Sequence, residues 1–158
     1  MNLDHMNVAI KEAKAAESKK EVPVGAVIVL NEKIIAKAHN KREKTQNALD
    51  HAEIIAIDKA CKKLNSWRLE NCEIYITLEP CSMCAGAIIN SRIKAVYFGA
   101  YDKKGGACGS VVNLLENKSF NHNPEFTGGI MEKECGELLT NFFKNKRAED
   151  KVFKLIDN

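Results

Sequence analysis

Strand-like and helical segments alternate along the middle of this chain, and this alternation limits its fold more than any other feature. Residues 51–64 carry apolar side chains at helical spacing, and CEIYITL (72–78) is rich in the β-branched and aromatic residues typical of strands. CSMCAGAIIN (81–90) predicts a short helix, and KAVYFGA (94–100) predicts another strand. Because alternating strands and helices build one sheet covered on both faces, the sequence predicts an α/β domain.

A pair of strands is predicted ahead of the alternating segments. GAVIVL (25–30) and KIIAKA (33–38) are rich in β-branched residues, and Asn31-Glu32 separates them. A connection of two residues is the commonest link between two antiparallel strands. The sequence therefore predicts a hairpin with a tight turn at this position.

Helices are predicted near both ends of the chain, where apolar residues recur at helical spacing. The first covers residues 6–16, and the second begins at about Glu132. No repeat, low-complexity tract or linker lies between them, and 158 residues is an ordinary length for one domain. The sequence therefore predicts a single domain over residues 1–158.

The composition favours a protein of the cytoplasm. The first twenty residues lack the apolar stretch of a signal peptide, and no run approaches the roughly 18 apolar residues of a membrane helix. In a reducing compartment the six cysteines are expected to be buried, catalytic or bound to metal. The net charge of +3 is compatible with a nucleic-acid partner but is too small to predict one.

Two cysteines at the start of the second predicted helix form the first candidate site. Pro80 is expected in the first turn of this helix, and Cys81 and Cys84 follow it on one helix face, so that both sulfurs can reach one point. The amides of a helix N-terminus favour the thiolate, which is the form that binds metal. A redox pair, a four-ligand structural zinc site and a three-ligand catalytic zinc site all use C-x-x-C. The absence of a second C-x-x-C favours the catalytic site.

The start of the preceding helix, DHAEIIA, supplies a third ligand and an acid or base. His51 is the candidate ligand, and Glu53 is the candidate proton carrier. The alternative is a capping box, in which Asp50 is the N-cap and Glu53 reaches back to it. H-x-E followed by P-C-x-x-C is the complete signature of the zinc deaminases, and this combination favours a metal site.

Beyond these motifs, the chain resembles the cytidine deaminase-like superfamily and, within it, the bacterial enzymes that deaminate adenosine in tRNA. The likeness extends from about Asn7 to Arg147 and includes EVPVGAV, SWRL, GGACGS and FFKNKR. It implies a three-layer α/β/α cytidine deaminase-like fold, with a central mixed sheet of about five strands and helices on both faces. It also implies a homodimer that converts adenosine to inosine at the wobble position of a tRNA anticodon loop.

The same resemblance assigns roles to individual residues. His51, Cys81 and Cys84 would hold one Zn²⁺ per chain, and Glu53 would move protons between the attacking water and the base. A tRNA anticodon stem-loop would be the partner. The residues that would contact the base or the stem-loop are Asn40, Ala52, Asp102, Lys104, Asn121, Phe143 and Arg147.

Two other functions are compatible with parts of this pattern. A free nucleobase or nucleoside deaminase acting on guanine or cytosine would use the same zinc signature, although His51 in place of cysteine argues against the cytidine branch. A non-catalytic RNA-binding or zinc-stabilised module would not need Glu53. The glycine loop DKKGGACGS (102–110) and the basic C-terminal helix favour RNA over a free base.

Two details of the sequence leave alternatives open. FFKNKR (142–147) either anchors the last helix to the sheet or offers an aromatic and basic surface to RNA. Phe142 lies on the apolar stripe and is expected in the core, whereas Phe143 is the better stacking candidate. Cys108 departs from the family pattern, and it is expected either to pack or, as a thiol close to the zinc site, to be oxidised or to compete for the metal.

Overall fold

One five-stranded sheet organises the protein in the computed structural model, which describes residues 1–157. The strands are β1 (Gly25–Leu30), β2 (Lys33–His39), β3 (Cys72–Leu78), β4 (Ala95–Ala100) and β5 (Glu125–Thr127). They lie in the order β2-β1-β3-β4-β5. β1 is antiparallel to both of its neighbours, whereas β3, β4 and β5 run parallel, so the sheet is mixed as the resemblance implied.

In the described part of the chain five helices accompany the sheet, and the four long ones cover its two faces. They are α1 (Leu3–Ser18), α2 (Arg42–Thr45), α3 (Ala52–Leu64), α4 (Ser82–Asn90) and α5 (Glu132–Ile156). None of the helices within residues 1–157 has the length and hydropathy needed to cross a membrane.

The core is divided into two apolar clusters because successive strand residues point to opposite faces. Ile28 and Ile74 pack in one cluster with residues of α3 and α4. Val27 and Tyr75, their neighbours along the strands, pack in the other with residues of α1 and α5. This arrangement confirms the predicted three-layer α/β/α architecture.

The hairpin and the long helices were predicted, and the shortest elements were not. Asn31 and Glu32 both have positive φ, 49° and 67°, as a two-residue hairpin turn requires. The strand β5 has only three residues, and α2 has only four, so neither shows a periodic pattern that sequence alone could reveal. Residues 102–110 form no helix or strand, which confirms the predicted glycine loop.

The close contact between α1 and β1 depends on Gly25. A β-carbon at this position would overlap the carbonyl oxygen of Ala9 and would lie 2.6 Å from the amide nitrogen of Ala13. We expect Gly25→Ala to lower the free energy of unfolding by about 3 kcal/mol, because backbone on one side must move. Urea denaturation followed by circular dichroism measures this change.

Gly86 provides the matched control for this substitution. It lies inside α4, and a β-carbon there would meet no atom within 4 Å. Gly86→Ala should leave the free energy of unfolding unchanged or raise it by about 1 kcal/mol, since alanine favours the helix. Equal unfolding midpoints for Gly25→Ala and the parent protein would contradict the packing described for α1.

Candidate metal centre and active site

Three side chains with metal-binding atoms converge where α3 and α4 begin. The Nδ1 atom of His51 lies 3.7 Å from Sγ of Cys81 and 3.6 Å from Sγ of Cys84. These ligand atoms all lie within 4.8 Å of one another. A tetrahedral zinc ion separates such nitrogen and sulfur ligands by about 3.5 to 3.8 Å. The geometry and the donor set therefore fit a zinc ion held by three protein ligands.

The backbone at the two helix starts explains this convergence. His51 is the N-cap of α3, with φ −74° and ψ 151°, and Cys81 is the N-cap of α4, with φ −72° and ψ 177°. Neither side chain caps its own helix. Because N-cap residues are extended, their side chains leave the helix axis and point sideways to a shared position. Cys84 reaches the same position from the first turn of α4.

Two sequence-based expectations about these helix starts are wrong. The capping-box alternative made Asp50 the N-cap of α3, but the N-cap is His51, whose side chain makes no capping hydrogen bond. Pro80 was expected in the first turn of α4, but it precedes the N-cap Cys81 and so lies outside the helix. In both cases the N-cap is a residue of the metal-binding cluster, and its side chain points to that cluster instead of capping the helix.

The protonation of Cys81 suits metal binding, and the three ligand groups share their protons through hydrogen bonds. The pKa of Cys81 is lowered to about 3, chiefly by a hydrogen bond from the Cys84 thiol and further by His51. The pKa of Cys84 is raised by the same hydrogen bond and by burial. The hydrogen bond to Cys81 raises the pKa of His51. The Cys81 side chain is therefore a thiolate at neutral pH, which is the form that binds metal.

Glu53 lies beside this cluster without belonging to it. It is in the first turn of α3, and only 4% of the residue is exposed. Burial raises the pKa of its carboxyl group, because the interior disfavours the charged form. A carboxyl group with a raised pKa can both accept and return a proton near neutral pH. The arrangement can therefore support general acid–base chemistry next to a bound metal.

A cavity of about 800 Å³ joins the cluster to the predicted substrate residues. His51, Glu53 and Cys81 contribute to its lining. Six of the seven residues predicted to contact the base or the stem-loop line it as well, namely Asn40, Ala52, Asp102, Lys104, Phe143 and Arg147. Asn121 is exposed in the segment before β5 and does not line the cavity.

Hydrogen bonds fix two of these predicted residues in place. The Asn40 amide donates to the carbonyl oxygen of Val22 at 3.3 Å and accepts the backbone amide of Arg42 at 3.1 Å. One carboxylate oxygen of Asp102 accepts the backbone amides of Lys104 and Gly105, both at 3.1 Å. Asn40 is thus held rigidly against the cavity, and Asp102 shapes the turn that carries Lys104.

Arg42 at the cavity wall and Glu21 behind it were not predicted from the sequence. Arg42 lines the cavity from α2, two residues after the candidate Asn40. Glu21 is buried and accepts the amides of Glu43 and Lys44 at 2.9 and 3.0 Å, which holds α2 and Arg42. Their effect depends on contacts between segments far apart in the chain, so no local pattern reveals it.

The two remaining open details of the sequence have structural answers. Cys108 is buried, its Sγ lies 3.9 Å from the carbonyl oxygen of Pro80, and burial raises its pKa to about 12. Among residues 1–157 the metal-binding group contains only His51, Cys81 and Cys84. Cys108 is therefore a buried, protonated thiol outside the metal-binding cluster, as packing requires.

The aromatic pair of α5 lies outside the core. Phe142 is half-buried and belongs to neither apolar cluster, so the prediction that it packs in the core is wrong. From Thr140 to Asp157 all residues except Phe142 are exposed. The helix continues there beyond the sheet that covers Leu138 and Leu139. Phe143 is 41% exposed and lines the cavity. Its ring packs edge-on against that of Phe142, with the ring centroids 5.3 Å apart.

Comparison with known proteins identifies the family. The model of the MafB19-like deaminases matches residues 2–147. A tRNA-specific adenosine deaminase of Bacillus subtilis is 54% identical over 148 residues, which are 94% of this chain and 92% of that protein.

Solved structures show the same fold. One, from work on A-to-I editing by tRNA:A34 deaminases at the wobble position of transfer RNA, has a TM-score of 0.84 at 40% identity and covers 87% of this chain and 100% of its own. A guanine deaminase from Bacillus subtilis has a TM-score of 0.63 at 31% identity and covers 80% of this chain and 85% of its own. With its sequence identity, its fold and its His-Cys-Cys cluster, the chain belongs to the family of tRNA-specific adenosine deaminases.

Proposed function

We propose that this protein hydrolyses adenosine to inosine and ammonia at the wobble position of a tRNA anticodon loop. The observation that carries the proposal is the cavity in which Glu53 and the His51-Cys81-Cys84 cluster lie together with exposed aromatic and basic residues. A buried carboxylate beside a metal site supplies the chemistry. The aromatic and basic residues suit a nucleotide that is turned out of a single-stranded loop.

The mechanism assigns the proton transfers to Glu53. His51, Cys81 and Cys84 would hold Zn²⁺, which makes a water molecule a good nucleophile at neutral pH. Glu53 takes a proton from this water as its oxygen bonds to C6 of adenine, and Glu53 delivers the proton to N1. Glu53 then carries the second proton of the water to the amino group, and the C6–N bond breaks to release ammonia. Because Glu53 is buried, bulk water does not compete for these protons.

Substrate recognition is proposed to involve the other residues of the cavity. Asn40 presents a fixed amide that can pair with the purine edge. Phe143 offers an exposed ring on which a neighbouring base can stack. Lys104 and Arg147 carry positive charge for the phosphates of the loop. Asn121 lies outside the cavity, and we propose that it contacts the stem-loop beyond the target nucleotide.

The second candidate is a free-base deaminase, which the likeness to a guanine deaminase supports. The cations around the cavity favour RNA, since a free base carries no phosphate for them to bind. The deciding assay offers a tRNA anticodon stem-loop, free adenosine, guanine and cytosine side by side and measures ammonia release. We expect turnover of the stem-loop alone. Turnover of free guanine without the stem-loop would support the second candidate.

Phe143→Ala should weaken the binding of an anticodon stem-loop about ten-fold, because one stacked base is lost. Fluorescence anisotropy with a labelled stem-loop measures the dissociation constant. Phe153→Ala is the matched control, since Phe153 lies on the same helix, is 67% exposed and does not line the cavity. Equal weakening by both substitutions would contradict a specific role for Phe143.

The assembly, the domain and the location of the protein are proposed as well. A homodimer, one zinc ion in each chain and a single domain over residues 1–158 are supported by the resemblance described above. A tRNA substrate also supports a place in the cytoplasm. Sedimentation equilibrium should give twice the mass of the chain, and a mass equal to one chain at micromolar concentration would contradict the dimer.

A further inference from the structure

The glycine loop (residues 102–110) is joined to the metal end of the sheet by one buried carboxylate. Glu79 is 2% exposed, and its Oε1 accepts the backbone amides of Cys108 and Ser110 at 3.0 and 2.9 Å. Its Oε2 accepts the backbone amide of Asp102 at 2.9 Å and the hydroxyl of Ser110. Both ends of the loop therefore donate to the same side chain.

The loop is shaped around this carboxylate. A β-carbon on Gly106 would overlap the carboxyl group of Glu79, so only glycine allows the backbone to pass this close. Burial raises the pKa of Glu79, but the hydrogen bonds from Ser110, Asp102 and Cys108 outweigh it, and the pKa is lowered overall. Four hydrogen bonds from the loop therefore converge on this one carboxyl group.

Glu79 lies between the metal-binding cluster and the loop residues that line the cavity. Two residues further along the chain, Cys81 joins the metal-binding cluster. On the loop side, Asp102, Lys103 and Lys104 line the cavity. Because both carboxylate oxygens are occupied by loop donors, Glu79 has no acceptor to spare for substrate, and it acts through the loop.

We propose that Glu79 is a positioning residue that holds the loop cations in register with the metal centre for binding of the RNA. This inference rests on the proposed function, because the ligand of Lys103 and Lys104 is taken to be the phosphate backbone of the stem-loop. Loss of the anchor is expected to weaken RNA binding and to leave the chemical step intact.

Glu79→Gln tests the proposal with the smallest change of shape. The amide oxygen can replace Oε1 and keep the amides of Cys108 and Ser110, while the Ser110 hydroxyl can turn to accept from the new NH₂ group. The Asp102 amide is left facing a donor, so the substitution releases this end of the loop. Glu73→Gln is the control, because Glu73 lies on β3, the strand that ends directly before Glu79, and its carboxylate accepts a hydrogen bond from Tyr75, not from the loop.

We expect Glu79→Gln to raise KM for an anticodon stem-loop about ten-fold, as the loss of a hydrogen bond to a charged group predicts. The value of kcat should stay within about three-fold, and the metal content should stay at about one ion per chain. Hydrogen exchange followed by NMR should show faster exchange at Asp102 than in the parent protein. Glu73→Gln should change none of these measurements.

Ser110→Ala supplies a second variant that removes only one donor and leaves the backbone in place. A rise in KM of about two- to three-fold would support the proposal. An unchanged KM in both variants would overturn it, as would a joint loss of kcat and metal at unchanged KM, which would place the role of Glu79 at the metal ligands. If the parent protein does not deaminate the stem-loop, the proposed function fails, while exchange at Asp102 still tests the anchor.

Discussion

Glu53→Gln is expected to abolish deamination of an anticodon stem-loop while the protein keeps its metal and its fold. Glutamine occupies nearly the same volume, but its amide cannot accept the proton of the attacking water or return it to the base. Loss of general acid–base catalysis costs roughly 10²- to 10⁴-fold in rate, and here one residue carries every proton transfer, so the upper end applies. Single-turnover assays of inosine formation measure the effect.

The control for this variant is Asp58→Asn, which makes the same chemical change on the same helix. Asp58 forms an exposed pair with Lys62 at 2.7 Å, and such pairs contribute little to stability. The rate should stay within about two-fold of the parent protein, as expected for an exposed helix pair. A Glu53→Gln variant that keeps a tenth of the parent rate would contradict the catalytic role.

The metal-binding cluster could be recognised from sequence because its chemistry restricts residue type at fixed positions. Cys81 and Cys84 are three residues apart at a predicted helix start, and the helical repeat predicts that their sulfurs can reach one point. His51 comes from another helix, and only the combined signature of zinc deaminases linked it to the cysteines. The sequence indicated which residues meet, but it did not reveal that both His51 and Cys81 occupy N-cap positions.

The residues that shape the cavity walls could not be predicted in the same way. Glu79 contacts amides 23 to 31 positions away in the chain, and Glu21 contacts amides 22 and 23 positions away. Hydrogen bonds between a side chain and a distant backbone leave no periodic pattern in a sequence. For Phe142 a sequence pattern was present but misleading. The apolar stripe of α5 includes Phe142, but at this point the helix has passed beyond the sheet that could cover it.

Cys84→Ser is expected to remove the metal and the activity together. Cys84 is fully buried in the first turn of α4 and supplies one of three ligands, and a neutral serine hydroxyl is a far weaker ligand for zinc than a thiolate. Metal content should fall from about one ion per chain to below a tenth, because two protein ligands do not make a stable zinc site. Atomic absorption on the purified protein and the stem-loop assay on the same sample measure both losses.

Cys108→Ala separates this effect from the general loss of a buried thiol. Cys108 is as deeply buried as Cys84 and lies near Pro80, but it is outside the metal-binding cluster. Its variant should keep about one ion per chain and full activity, with at most about 1 kcal/mol lost in the free energy of unfolding from the small cavity. If Cys84→Ser retained stoichiometric metal and turnover, the three-ligand site would be wrong. If Cys108→Ala lost its metal, Cys108 would have to be a ligand, which its absence from the cluster argues against.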